Sequence, residues 1–382
     1  MEKCKLGDIC EIVSGSTPKT TIEEYWDGDV KWITPAELNE NVYIINDSVR
    51  KITKLAVEKT GLSSFPEGTV ILSTRAPIGK VAIAGCEMYC NQWFKNLICS
   101  EKIFNKYLYW FLKGNTMFLN SLGRGATFKE ISKAIVSEIE INVPEIEEQH
   151  EIVKILEKVN TIIRFRKQEL SVLDTLVKAR FVEMFENKTE YDQFRLEEIA
   201  DIVSGITKGR KTKCGELREV PYMAVSNVKD GYIDWTTVKT ILATEDEIIQ
   251  YKLLPDDVLM TEGGDPDKLG RGAIISLPPK DCIHQNHIFR VRLDETRILP
   301  RYFSAYLQSP QAKTYFLRAA KQTTGIASIN MRQLRGLPTI VPPIEQQLKY
   351  VSFSEQVDKS KVINQLLQKW NYMCHVTIEK VK

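Results

Sequence analysis

The sequence predicts an α+β protein in which two repeated α/β bodies are separated by two long helices that pack together. The first observation is a twelve-residue segment that recurs 190 positions downstream with seven identities, LGDICEIVSGST at 6–17 and LEEIADIVSGIT at 196–207. The second is that further segments match in the same order. The third is that each copy closes on a Val-Pro, which a long stretch free of Pro and Gly follows. An ordered repeat fixes the architecture before local detail does.

The further matched segments extend the repeat through each body. They are VKWITPAEL (30–38) with VPYMAVSNV (220–228), EGTVILST (67–74) with PDDVLMTE (255–262), CNQWF (90–94) with QNHIF (285–289), KYLYWFL (106–112) with RYFSAYL (301–307), and INVPEIEEQ (141–149) with TIVPPIEQQ (339–347). The short apolar runs bounded by polar residues predict buried strands, and the aromatic pair of segments has helical spacing. The offset drifts from 190 to 198, which indicates small loop insertions.

The stretches after the two Val-Pro steps predict long helices at 147–186 and 345–382. In the first, apolar residues recur at intervals of four and three: Ile152, Leu156, Val159, Ile163, Leu170, Leu173, Val177 and Met184. In the second they are less regular: Leu348, Val351, Val357, Ile363, Leu366, Leu367, Trp370 and Cys374. Such a seam favours a helix packed against another helix, each about 60 Å long. The alternative is two independent helices, each lying on its own body.

Composition places the chain among ordinary globular proteins, with 382 residues, 43% hydrophobic content and a net charge of +2. The charged N-terminus MEKCKLGDIC lacks the apolar run of a signal peptide, and no stretch approaches 18 uninterrupted apolar residues. The eight cysteines are scattered and form no CxxC. These features predict reduced thiols and a cytoplasmic location without a membrane contact.

Catalytic and metal-binding motifs are weak in this sequence. The two Pro-Pro pairs lack the neighbouring residues of an amino-methyltransferase loop, and no GxxxxGK[ST] phosphate loop occurs. CIHQNH at 282–287 has a Cys and two His but no second ligand pair, so a fold-supporting role is favoured over zinc. GGDPDKLGRG at 263–272 resembles nuclease carboxylate spacing but is interpreted as a loop. We therefore expect no catalysis, no metal and no cofactor in this chain.

Six loops rich in Gly, Ser or Thr and in basic residues follow framework segments in the two copies. In the first copy they are 14–21, 73–80 and 123–129, and in the second 204–213, 263–272 and 321–328. Between 208 and 218 alone there are five basic residues against one acid. Because Lys and Arg bind phosphate while other side chains reach base edges, these loops are candidates for DNA contact. The candidate residues are Lys19, Thr20, Arg75, Lys80, Arg124, Thr127, Lys129, Lys208, Arg210, Lys211, Lys213, Lys268, Arg271, Lys321, Thr323 and Arg332.

The duplicated pattern L-x-D/E-I-x-x-I-V-S-G-x-T, closed each time by V-P-x-I-E-x-Q and a long helix, resembles the specificity subunit of type I restriction-modification systems. The resemblance covers the chain from Leu6 to its end. It implies target-recognition domains at 1–143 and 189–342, a central conserved helix at 144–188 and a C-terminal conserved helix at 343–382. It also implies that the helices form an antiparallel coiled coil, which would relate the two domains by a pseudo-two-fold.

The family function implied by this resemblance is recognition of a bipartite, asymmetric site in double-stranded DNA, as part of the defence against foreign DNA. The chain would position two methyltransferase subunits for adenine methylation and restriction/motor subunits for cleavage. S-adenosylmethionine, ATP and Mg would bind to those partners. Inserting a helical turn near 163–173 should then change the spacer alone. The alternatives are a stand-alone DNA-binding regulator and the DNA-recognition part of a type II methyltransferase-endonuclease.

Overall fold

The computed structural model describes residues 2–39, 42–75, 77–125, 129–186, 188, 190–210, 216–264, 269–323 and 326–361. The chain divides into two compact units, Met1–Arg164 and Phe165–Lys382. Each unit holds one copy of the repeat, and the boundary between the units lies inside a long helix. The predicted Thr127, Lys211, Lys213, Lys268, Ile363, Leu367 and Trp370 lie outside the described residues.

The first body has a main sheet of five strands, further strands in smaller sheets, and several helices. Its strands are β1 (Glu2–Lys5), β2 (Cys10–Ser14), β3 (Trp26–Ile33), β4 (Ile44–Ile45), β5 (Lys51–Ile52), β6 (Val70–Thr74), β7 (Ile78–Ala84), β8 (Tyr89–Cys90), β9 (Phe94–Cys99) and β10 (Glu140–Val143). Its helices are α1 (Leu6–Ile9), α2 (Lys54–Thr60), α3 (Asn105–Gly114), α4 (Thr116–Leu122) and α5 (Lys133–Ser137).

The sheet of the first body has the order β2-β9-β6-β7-β4, in which only the β4–β7 pair is parallel. A smaller sheet has the order β5-β3-β8, and β1 pairs with β10. Helices α3 and α4 pack against β7. Both faces of β6 are buried, since Val70 and Leu72 join the core on one face and Ile71 joins the core on the other. This explains why the strand begins with three consecutive apolar residues, Val70 to Leu72.

The second body repeats this plan with its own strands and helices. The strands are β11 (Asp192–Arg195), β12 (Ala200–Ser204), β13 (Arg218–Met223), β14 (Lys239–Ala243), β15 (Val258–Thr261), β16 (Gly263–Gly264), β17 (Gly272–Ile274), β18 (Ile283–His284), β19 (Ile288–Leu293), β20 (Lys321–Thr323), β21 (Ile326–Ser328) and β22 (Pro338–Val341). The helices are α7 (Glu245–Tyr251), α8 (Pro300–Leu307), α9 (Pro310–Ala319) and α10 (Met331–Arg335).

The sheets of the two bodies correspond strand by strand except for β4, which the main sheet of the second body does not repeat in the described residues. The order β12-β19-β15-β17 repeats β2-β9-β6-β7, the sheet β14-β13-β18 repeats β5-β3-β8, and β11–β22 repeats β1–β10. The predicted fold class, two copies of one α/β body, is therefore confirmed. The second body adds the sheet β16-β21-β20, where the first body has isolated bridges from Glu130 to Arg75 and Arg124.

The strand pairing corrects one of the sequence matches. Trp32 pairs with Tyr89 in the first body, and Tyr222 pairs with Ile283 in the second. The first members of these pairs are 190 positions apart, so the segment that begins with the second members is offset by 194. The match of CNQWF with QNHIF, offset by 195, is wrong by one residue, and MYCNQW corresponds to CIHQNH. A slip of one residue would exchange the two faces of the strand, which local similarity does not detect.

The predicted long helices are α6 (Ile146–Phe185) and α11, which spans 344–361 in the described part of the chain. Within the second unit they pack together. The rings of Phe181 and Tyr350 lie 5.4 Å apart, and Lys361 Nζ lies 2.7 Å from an Asp174 carboxylate oxygen. Residue numbers fall along α6 as they rise along α11, so the pair is antiparallel, as the resemblance implies.

The predicted seam residues that the structure describes differ in burial, and Leu348 departs from the rest. Ile152, Leu156, Val159, Ile163, Leu170, Leu173, Val177, Met184 and Val351 are half-buried. Leu348, however, is 52% exposed, and Tyr350 is buried instead. The reason is that α11 packs on the second body as well as on α6. The face of α11 that is buried therefore includes Tyr350 and excludes Leu348. Phe181 and Phe185 lie in the same core as Tyr350 and were not assigned to the seam.

A buried glutamine attaches each long helix to its own body. Gln149 accepts a hydrogen bond from Phe104 N and donates to the carbonyls of Lys102 and Pro144. Gln347 repeats all three bonds, with the corresponding groups of residues 299, 297 and 342. Both side chains are fully buried. The glutamine of V-P-x-I-E-x-Q therefore fixes the start of the helix, because its amide satisfies backbone groups that burial removes from water.

Candidate nucleic-acid interface

Three of the predicted loops meet at one edge of the sheet in the first body. Because the strands are antiparallel, the ends of β2 and β6 lie beside the start of β9. Backbone hydrogen bonds join them: Ser16 N donates to Cys90 O, Thr74 N to Trp93 O, and Ile131 N to Thr74 O. We call the described residues of 14–20, 73–75, 91–93 and 123–131 the first loop edge. Residues 91–93, which the sequence predicts as framework, also lie at this edge.

The predicted basic residues of the first loop edge differ in their surroundings. Lys19, Arg124 and Lys129 are exposed, as is Thr20. The Arg75 guanidinium lies 5.6 Å from the centre of the Trp93 ring and 3.6 Å from a Glu130 carboxylate oxygen.

The ammonium group of Lys80 is directed into the body. Its Nζ donates to Pro35 O at 3.0 Å, and the side chain is half-buried. This predicted contact residue therefore braces the turn at Pro35.

Two tryptophans hold the loop that carries Lys19. Trp32 Nε1 donates to Ser16 O at 3.0 Å, and Trp26 Nε1 donates to Lys19 O at 3.3 Å. The two rings lie edge to face with centres 5.2 Å apart, and the Arg50 guanidinium is 3.9 Å from the centre of the Trp26 ring. The loop is therefore ordered by indole N–H groups, which are usually bonded when they are buried.

A buried lysine that was not predicted from the sequence lies behind the first loop edge. Lys95 is 7% exposed, and its Nζ lies 3.3 Å from the carbonyl oxygens of Gln92 and Phe94. Burial lowers the pKa of its ammonium group, because the charged form loses hydration. A lysine inside the apolar strand FKNLIC was the available signal.

The second body gathers its loops at the corresponding edge. Ile206 N donates to His284 O, Glu262 N to His287 O, and Ile329 N to Glu262 O. These three bonds repeat those of Ser16, Thr74 and Ile131. We call the described residues of 204–210, 262–264, 285–287 and 321–329 the second loop edge. Tyr222 Oη also donates to Ile206 O at 3.1 Å, as Trp32 Nε1 does to Ser16 O.

The predicted basic residues of the second body also fall into two groups. Lys208 and Arg332 are exposed, Arg332 on α10. The guanidinium of Arg210 is held by the Glu247 carboxylate through Nε at 2.7 Å and through Nη2, and this pairing lowers the pKa of Glu247. Arg271 is half-buried and contributes its carbonyl to Thr261 N, and Lys321 and Thr323 belong to β20.

The histidines of CIHQNH serve two different purposes. His284 is fully buried, and its ring nitrogens lie within hydrogen-bonding distance of the carbonyls of Tyr251 and Val203. Burial lowers its pKa to about 4, so the ring is neutral. His287 is exposed, and its Nδ1 lies 2.5 Å from a Glu262 carboxylate oxygen. In the described residues, no group of three His, Cys, Asp or Glu side chains could hold a metal ion.

The protein is thus an internally duplicated α/β protein. Each copy gathers its polar loops at one edge of the sheet and anchors its long helix through a buried glutamine. The chain belongs to the type I restriction modification DNA specificity domain family, whose model matches residues 1–175 and 188–369. The resemblance stated from the sequence is thereby confirmed.

Curated relatives carry the same family name. The type I restriction enzyme MjaIX specificity subunit of Methanocaldococcus jannaschii is 38% identical over 224 residues, which cover 56% of this chain and 51% of that protein. The chain thus spans about half the length of this relative. The EcoKI specificity subunit of Escherichia coli is 24% identical over 321 residues, 76% of this chain and 68% of that protein.

Solved structures support the fold. A chain from a study of assembly and conformational transition in the type I restriction-modification system covers 100% of this chain and 95% of its own length, with a TM-score of 0.60 and 16% identity. The type I S subunit from M. genitalium covers 98% and 94%, with a TM-score of 0.54 and 14% identity. In the described residues, no helix is long and apolar enough to cross a membrane.

Proposed function

We propose that this chain recognises a bipartite, asymmetric site in double-stranded DNA, with the first loop edge reading one half-site and the second loop edge the other. The observation that carries the proposal is that both edges share one backbone frame and present different side chains. The frame is the set of three backbone hydrogen bonds made by Ser16, Thr74 and Ile131 and repeated by Ile206, Glu262 and Ile329. A shared frame supports a shared docking mode, and different side chains support different half-sites.

Affinity comes from phosphate contacts of the exposed cations. Lys19, Arg124 and Lys129 on the first edge, and Lys208 on the second, are exposed and suited to this role. Arg210 shapes its loop through Glu247, since its guanidinium is already bound at both ends of a carboxylate. Lys80 likewise supports a turn through Pro35. Because phosphate contacts release counterions, binding weakens steeply with salt.

The two long helices carry the partner subunits. Apolar side chains remain exposed on α6 beside its buried seam, among them Val172, Leu176 and Val182, at 58%, 45% and 41% exposure. Exposed apolar residues on a helix favour contact with another protein. We assign this contact to two methyltransferase subunits, and restriction/motor subunits join that complex.

Chemistry is supplied by the partners and not by this chain. His284 is buried and lies within hydrogen-bonding distance of the Tyr251 carbonyl, and His287 is bound to the carboxylate of Glu262. These contacts support a structural role for His284 and a recognition role for His287. We infer that S-adenosylmethionine binds to the methyltransferase subunits, and that ATP and Mg bind to the restriction/motor subunits.

The test is genome-wide methylation mapping of a host that expresses this chain together with its methyltransferase partner. We expect methylated adenines within one motif that has two unlike halves and a fixed spacer. Co-purification of a stable complex with the methyltransferase is the second expected result. Sequence-specific binding by the chain alone, with no such complex and no methylated motif, would instead establish a stand-alone regulator.

A further inference from the structure

The second loop edge contains a cleft with a hydrogen-bonded acid–imidazole pair. The cleft has a volume of about 380 Å³ and is lined by Val225, Glu262, Gly263, His287 and Ser328. The side chain of Glu262 is 35% exposed and that of His287 is 57% exposed. Both are therefore accessible from solvent at the edge where the loops meet.

Neighbouring groups fix the direction of the Glu262 carboxylate. His287 Nδ1 lies 2.5 Å from Glu262 Oε2, and Asn286 Nδ2 lies 3.4 Å from His287 Nε2. When the Asn286 amide donates to Nε2, the proton of the neutral ring is on Nδ1 and is donated to the carboxylate. The backbone N–H of Glu262 is bound to His287 O as well. The carboxylate is thus held by its neighbours before any ligand arrives.

The first loop edge carries other chemistry at the same two positions. Thr74 corresponds to Glu262 and Trp93 to His287, because Thr74 N donates to Trp93 O as Glu262 N donates to His287 O. Thr74 is fully buried, and the Trp93 ring lies beneath the Arg75 guanidinium. The frame does not need an acid and an imidazole at these positions, so the pair is specific to the second body.

We propose that Glu262 is the specificity-determining residue with which the second body reads a cytosine in the major groove, an inference that rests on the proposed function. A carboxylate is repelled by phosphate and accepts hydrogen bonds only, so it is suited to an exocyclic amino group of a base. Cytosine offers its N4 amino donor alone, whereas adenine places the N7 acceptor beside its N6 amino group. The acceptor-only carboxylate therefore prefers cytosine. His287 is the positioning residue that orients it.

The experiment maps methylation in hosts that express the full chain with its methyltransferase partner, as wild type, Glu262→Gln, Glu262→Ala or His287→Phe. The matched control is Glu295→Gln, which removes an exposed carboxylate just past the opposite end of β19. We expect Glu262→Gln to change one C·G position of one half-site toward A·T, since glutamine pairs with adenine in the major groove. Glu262→Ala relaxes that position, His287→Phe relaxes it less, and Glu295→Gln leaves the motif intact.

Where a variant loses methylation, a DNA-binding measurement tests whether Glu262 discriminates between base pairs. The purified complex is titrated with a duplex carrying the wild-type motif and with one in which the C·G pair is replaced by T·A. The wild type should discriminate between them by about tenfold and Glu262→Ala by about twofold or less, whatever the absolute affinity. Equal discrimination by both proteins, or a changed position that is not C·G, overturns the inference. A wild type that yields no bipartite motif at all overturns the proposed function instead.

Discussion

The two loop edges show how one backbone frame can carry two surfaces of different chemistry. On the first edge, the Arg75 guanidinium lies over the Trp93 ring, beside a buried Thr74. On the second edge, the carboxylate of Glu262 is bound to the imidazole of His287. The backbone hydrogen bonds beneath these side chains are the same in both bodies. Side chains at the edge can therefore change without any change in the strands that support them.

The corresponding loops 14–20 and 204–210 of these edges are also held by different means. In the first body, Trp26 Nε1 bonds to the carbonyl of Lys19. In the second body, the guanidinium of Arg210 bonds to Glu247. The first arrangement leaves the nearby cation exposed, whereas the second neutralises it. The number of basic residues in a loop thus overstates the charge that reaches solvent.

The largest expected effect is a loss of stability when the buried glutamine that anchors the long helix in each body is replaced. Replacing the buried amide in Gln149→Leu or Gln347→Leu leaves three backbone groups without partners and should cost about 3 kcal/mol of unfolding free energy in either unit. Urea denaturation followed by hydrogen exchange of each unit measures this. The exposed neighbours serve as controls in Glu148→Gln and Glu345→Gln, which should change stability little. Very unequal losses would contradict the idea of an equivalent frame.

The next largest effect is that acid should destabilise the second body more than the first. His284 has its pKa lowered to about 4 by burial, against about 6.5 when unfolded, so the unfolded state binds the proton more readily. The second unit therefore keeps its full stability above about pH 6.5 and should lose about 2 kcal/mol by pH 5. The first unit has Cys90 at this position, whose pKa burial raises to about 12, and it stays neutral throughout.

Hydrogen exchange at pH 7 and pH 5, analysed separately for the two units, measures this difference. His284→Gln should remove the acid-dependent loss assigned to this residue. If the first unit loses as much as the second, or if His284→Gln loses as much as the wild type, the buried histidine is not the cause.

Salt dependence of DNA binding should distinguish exposed from neutralised cations. Lys19→Gln and Lys129→Gln should each reduce the slope of log K against log salt by about 1, because each removes one phosphate contact. Arg210→Gln should leave the slope unchanged, since Glu247 already binds that guanidinium. Lys102→Gln, at the opposite end of β9, is the matched control. A reduced slope for Arg210→Gln would show that its charge reaches the DNA.

The smallest effect concerns the way in which the first loop is held. Trp26→Phe removes the hydrogen bond to Lys19 O and should cost about 1 kcal/mol locally. Faster amide exchange confined to 14–20 is the expected observation. Tyr222→Phe, which removes the bond to Ile206 O in the second body, should have an effect of similar size at 204–210. Unchanged exchange in both variants would mean that other contacts hold these loops.

The repeat, the two α/β bodies and the paired helices could be predicted from the sequence, because each rests on a pattern that spans many residues. The antiparallel pairing followed from the family resemblance and is confirmed by two contacts, Phe181 with Tyr350 and Asp174 with Lys361. Register was less predictable, because one residue of slip between CNQWF and QNHIF changes local similarity very little. Only strand pairing, as between Trp32 and Tyr89, fixes it.

The side chains of the loop edges could be predicted only in part. The loops with Lys19 and Lys129 were found from their composition, and both residues are exposed. The pairings of Arg210 with Glu247 and of His287 with Glu262 join residues far apart in the chain, so composition did not reveal them. Leu348 was misassigned because α11 packs on a body as well as on a helix.

The central claim is that the two loop edges read different half-sites independently. The most direct measurement is methylation mapping of Arg75→Gln and Glu262→Gln, each compared with the wild type in the same host with the same methyltransferase partner. We expect Arg75→Gln to alter one half of the motif and Glu262→Gln to alter the other, with the spacer unchanged in both. If the two substitutions alter the same half, or if either alters both halves, the claim is contradicted.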